Sequence, residues 1–72
     1  MHPILTQAQK DEIEQQIREE INVEGSLKEW NEYIGDCGSD AIRLAWKRYG
    51  TDNPELDQLM DDLMEKFENE GL

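Results

Sequence analysis

The stretch Pro54-Glu55-Leu56-Asp57-Gln58-Leu59-Met60-Asp61-Asp62-Leu63-Met64-Glu65-Lys66-Phe67 decides the fold. Leu56, Leu59, Met60, Leu63, Met64 and Phe67 recur at spacings of three and four, the period of one helical face. A strand would alternate every second residue, and no segment of the chain does so. Asn53 precedes the stretch as a cap, and Pro54 takes the first helical position, where its missing N–H costs nothing. Gly71 closes the helix.

Working back from it, the same period recurs three times. Ser39 caps a helix in which Ile42, Ala45, Trp46 and Tyr49 share a face, widened by Ala41 and Leu44, and Gly50 stops it. Gly35-Asp36-Cys37-Gly38 reads as the loop before it. Ser26-Leu27-Lys28-Glu29 is a capping box opening a short helix with Leu27, Trp30, Tyr33 and Ile34 as its apolar set. Thr6-Gln7-Ala8-Gln9 is another, followed by Ile13, Ile17 and Ile21, with Gly25 suited to the turn after the last residue. The fold class expected is all-α: a compact, single-domain bundle of four short helices at about 6–23, 26–34, 39–49 and 53–70. Residues 1–5 and 70–72 are expected to fray, with Ile4 or Leu5 able to pack on the first helix.

A chain of 72 residues is one domain and buries only roughly 60% of its unfolded surface. Such a core supplies ~3–5 kcal/mol without staples. A single cysteine, Cys37, excludes an internal disulfide, and one His with one Cys is too few for a zinc site. Dimerisation is a route to a larger core. The free thiol and the absence of any long apolar run or basic-start leader in this sequence point to a cytoplasmic, non-membrane protein.

Charge is the second organising feature. Eighteen Asp and Glu against seven Lys and Arg give a formal net charge of −11. Such a surface repels nucleic acid and anionic membrane and favours cationic partners. The distribution is uneven: acid dominates both ends of the chain, while Arg43, Lys47 and Arg48 make the third helix a basic island. That island either pairs with its acidic neighbours or faces solvent. The acids of the last segment approach half the linear charge density of duplex DNA, which carries a charge every ~1.7 Å, on a helix rising ~1.5 Å per residue.

The sequence therefore predicts a non-enzymatic protein-binding module that inhibits or regulates a basic, nucleic-acid-handling partner, with DNA mimicry as one form. The partner-binding residues expected are Glu14, Glu19, Glu20, Asp57, Asp61, Asp62, Glu65 and Glu68, with Trp30 or Tyr33 as anchor. Trp46 is expected in the core. In size and charge, though not in any motif, the chain looks like the small acidic helical proteins with which phages and mobile elements inhibit host enzymes. Two alternatives follow from other features. The wide apolar face of the last helix suits self-association in a homodimer or assembly. The second and third helices with their loop suit a helix-turn-helix, against the charge of everything around them.

Catalysis, cofactors and metals are not expected. Cys37 stands beside Asp36, which blunts a thiolate, and His2 lies at a terminus. Asp52 to Asp57 resembles a calcium loop in its oxygens, but Asp57 stands where such a loop needs glycine and Pro54 and Leu56 take ligand positions.

Overall fold

The computed structural model describes residues 4–72. Four helices follow one another: α1 (Gln7–Glu24), α2 (Leu27–Cys37), α3 (Asp40–Tyr49) and α4 (Pro54–Glu70). No strand occurs among the described residues. The Cα radius of gyration is 11.9 Å, close to the roughly 11 Å expected for a compact chain of this length. His2 lies outside the described residues.

The caps form where their residue types predict. Thr6 Oγ1 accepts from Gln9 N at 3.1 Å while Gln9 Oε1 accepts from Thr6 N at 2.9 Å, a reciprocal box. Ser26 makes the forward bond of its box, accepting from Glu29 N at 3.1 Å. Asn53, fully buried, accepts from Glu55 N and donates to the Tyr49 carbonyl, which joins the end of α3 to the start of α4.

Two boundaries differ from the sequence reading. Gly35, Asp36 and Cys37 form the last turn of α2 instead of a loop, and the connection to α3 is only Gly38 and Ser39. Gly38 is the reason: its φ of 79° turns the chain while its N–H still bonds the Ile34 carbonyl. Arg43 also donates to the Cys37 carbonyl at 2.6 Å, satisfying an acceptor that the end of α2 leaves open. The second difference is at the termini expected to fray. Leu5, one of the two residues expected to pack on the first helix, is 4% exposed and belongs to the core, while Ile4 is exposed. At the other end Gly71 N bonds the Glu68 carbonyl and Leu72 N bonds the Phe67 carbonyl, a Schellman closure.

The core is built from one face of each helix. Ile13, Ile17 and Ile21 of α1 meet Leu27 and Trp30 of α2, Ala41 and Ala45 of α3, and Leu56, Leu59, Leu63 and Phe67 of α4. Alanine is the only residue type that α3 places fully inside. Where backbones approach that closely only methyl groups fit. The large side chains of α3 therefore sit to the sides: Ile42 and Tyr49 are half-buried and Trp46 is 42% exposed. The expectation that Trp46 belongs to the core is corrected here.

Candidate protein-binding groove

Cations decide which acids remain available. Arg18 lies 4.9 Å over the Phe67 ring and donates to Glu14 on its own helix and, through both terminal nitrogens, to Glu70 of α4. Lys66 of α4 reaches back to both oxygens of Glu14 at 3.0 and 3.1 Å. Lys10 pairs with Glu55 at 4.0 Å, and Arg48 of α3 with Glu12 of α1 at 3.1 Å. Four of the seven bases thus gather along the seams that α1 makes with its neighbours. Burial alone would raise the Glu14 carboxyl, but hydrogen bonds from Lys66 and Arg18 outweigh it and hold it below the usual range. The bond from Arg18 lowers Glu70 as well, and the two carboxylates raise the Arg18 guanidinium in return.

Glu20 has a different task. One oxygen accepts from Trp30 Nε1 at 3.0 Å and from Ser39 Oγ at 2.6 Å; the other accepts from Ala41 N at 2.8 Å. Ser39 Oγ in turn accepts from Ile42 N at 3.2 Å. A carboxylate of α1 therefore helps cap the N-terminus of α3, where its charge also suits the helix dipole, and fixes the α2 indole. Trp30 is 1% exposed, so its place as a partner-contacting anchor is corrected: it is a core residue tied to Glu20.

The remaining expected residues divide between three grooves and open surface. Glu19, Tyr33 and one edge of Glu20 line a groove of about 370 Å³ between α1, α2 and α3, together with Val23, Glu24 and Leu44. Asp57 and Asp61 line a larger one, about 520 Å³, between α2, α3 and α4. Its floor is Ile34, Ile42, Trp46, Met60 and Met64, with Trp30 beneath. Asp62 lines the third, on the other flank of α4 near α1, and accepts from Gln58 Nε2 at 2.9 Å. Glu65 and Glu68 are exposed on α4 outside all three grooves.

The carboxylates of Asp57 and Asp61 form no hydrogen bond or ion pair among the described residues. The α2–α3–α4 groove thus joins an exposed indole, two half-buried methionines and two carboxylates without an ion pair among the described residues. Sequence reasoning missed Trp46 as an exposed aromatic, whereas Tyr33, expected as an anchor, is as exposed as Trp46. The signal was present: the apolar residues of α3, from Ala41 round to Tyr49, span a wider arc than the roughly 100° stripe that one buried face needs.

The basic island faces solvent. Arg43 pairs with Asp40 at 3.6 Å, Arg48 with Glu12, and Lys47 with none of the described residues; all three are exposed. No group of three His, Cys, Asp or Glu among the described residues is placed to hold a metal ion. No described helix is long and apolar enough to cross a membrane. No protein-family model, curated protein or solved structure matches the chain.

Proposed function

We propose that the chain is a non-enzymatic binding module that docks on a basic protein of the kind that handles nucleic acid, and inhibits or regulates it by covering its charged surface. The observation that supports this reading is the groove in which Trp46 lies beside the carboxylates of Asp57 and Asp61, neither in an ion pair among the described residues. An aromatic anchor inside a charged rim is how interfaces concentrate binding energy. The net charge of −11 supplies long-range attraction to a cationic surface. The exposed bases of α3 favour docking through one face over mimicry of duplex DNA by the whole molecule. The exposed thiol of Cys37 fits a protein of the reducing cytoplasm.

The test is affinity capture from host lysate with the wild-type protein and with a variant carrying Asp57→Asn and Asp61→Asn. Retained proteins should be basic, should elute by about 0.5 M salt as screening shortens the reach of the charges, and should be depleted from the variant. Retention of the same proteins by both baits, unaffected by salt, would overturn the reading.

A further inference from the structure

The geometry points to a specific occupant for the α2–α3–α4 groove: one amphipathic α-helix of the basic partner, carrying two Lys or Arg residues one turn apart. This inference rests on the proposed function and sharpens it from a charged surface to a register.

The lining of the groove is the first support. Beside Asn31, its apolar residues come in pairs four apart: Trp30 and Ile34 on α2, Ile42 and Trp46 on α3, Met60 and Met64 on α4. Each pair spans one helical turn, so the apolar floor is a trough between ridges about one to two turns long. An amphipathic helix fits such a trough by laying its own i, i+3, i+4, i+7 stripe into it. Methionines suit that contact because their unbranched side chains adapt to the shape they meet.

Charge is the second support. Asp57 and Asp61 are also four apart and share the flank of α4 beside Met60 and Met64. Two cations on an opposing helix, likewise one turn apart, match that spacing. Nothing in the described part of the chain supplies those cations: the bases that reach α4 are Lys10 and Arg18, on Glu55 and Glu70, and Lys66 of α4 itself turns to Glu14 on α1. Within α4, Asp57 and Asp61 repel each other and Asp61 repels Glu65, each pair being four residues apart. A ligand bearing two positive charges removes that repulsion on binding. A second copy of this chain, also at −11, brings the wrong sign of net charge.

The test uses a designed probe. An alanine-based helical peptide carries leucines at i, i+3, i+4 and i+7 and two lysines four residues apart beside that stripe. A permuted control moves one lysine to the opposite face at the same composition, and a second control replaces the leucines by glutamine. Binding is followed by tryptophan fluorescence and by calorimetry. The registered peptide should bind best, with a blue shift lost in Trp46→Phe, since Trp30 is already buried. Asp57→Asn and Asp61→Asn should each weaken it by up to about fivefold, and Trp46→Ala by more than about tenfold. The two Asp positions are exposed, so those variants keep the fold and the test stands even if Trp46→Ala unfolds.

Equal binding of the registered and permuted peptides, or no binding of either, overturns the helix register while leaving salt-sensitive capture of a basic partner standing. Capture that ignores both salt and the Asp variants overturns the function itself. A concentration-dependent dimer in sedimentation, abolished by Trp46→Ala and by Met64→Ser, would assign the groove to a second copy and overturn the inference.

Discussion

Glu20 shows how little a residue's type says of its task. It is one of eighteen acids, yet it accepts hydrogen bonds from three groups on two neighbouring helices at once. Removing it leaves the Trp30 indole N–H, the Ser39 hydroxyl and the Ala41 amide short of an acceptor in a half-buried place. Glu20→Ala should therefore cost about 2–4 kcal/mol, since an unsatisfied buried group costs ~1–3 kcal/mol. The neighbouring exposed Glu19→Ala should stay within about 0.5 kcal/mol. Urea denaturation followed by tryptophan fluorescence measures both; equal effects would refute the role given to Glu20. Its use was not legible in sequence because its partners lie ten, nineteen and twenty-one residues away.

Among elements, α2 gives the sharpest check, because its two glycines look alike in sequence and differ in structure. Gly35 lies within the helix, and a Cβ there meets nothing within 4 Å. Gly38 ends it at φ 79°, and a Cβ there would stand 2.4 Å from Arg43 Nη2. Gly35→Ala should stabilise the protein by about 0.5–1 kcal/mol, the helix-propensity difference. Gly38→Ala should destabilise it by about 1–3 kcal/mol, because φ 79° with ψ 175° is backbone that essentially only glycine adopts, with the Arg43 contact displaced besides. Thermal melts of the two variants should move in opposite directions. A loop at 35–38 would instead make both substitutions mildly unfavourable.

Helix α3 carries the same lesson in its side chains. Its helical period, cap and stop were all legible, from Ser39 to Gly50. Which part of its broad apolar arc turns inward was not. Glu20 pins the Ala41 amide to α1, and the close approach admits Ala41 and Ala45 only, so Trp46 is left at the groove.

At the scale of the whole molecule, cations stitch α1 to α4, and acid is left without counter-charge on the far flank of α4. The stitch has a pH signature. The Glu14 carboxyl is held below its ordinary value, so the native state takes up its proton less readily than the unfolded chain. Its contribution is complete above the ordinary Glu range and is lost as pH falls through the depressed value. Glu14→Gln should therefore be less stable than wild type by about 1 kcal/mol at neutral pH, and the gap should close below about pH 4. Relief of the general repulsion on acidification is common to both proteins and cancels in the difference. Paired melts across that range make the measurement; a gap independent of pH would place the effect in packing instead.

The sequence by itself determined four helices, their N-caps, the stops of α1, α3 and α4, the residues of their apolar faces, and an acidic surface interrupted by one basic helix. Those properties are local: capping and periodicity act between residues within about four positions of one another. Tertiary structure alone decided that Trp30 goes inside and Trp46 outside, that Glu14, Glu20 and Glu70 serve the fold, and that Asp57 and Asp61 are left facing a groove. Each of those outcomes depends on which helix lies against which flank. That is fixed by contacts such as Arg18 to Glu70, fifty-two residues apart, which no local pattern encodes.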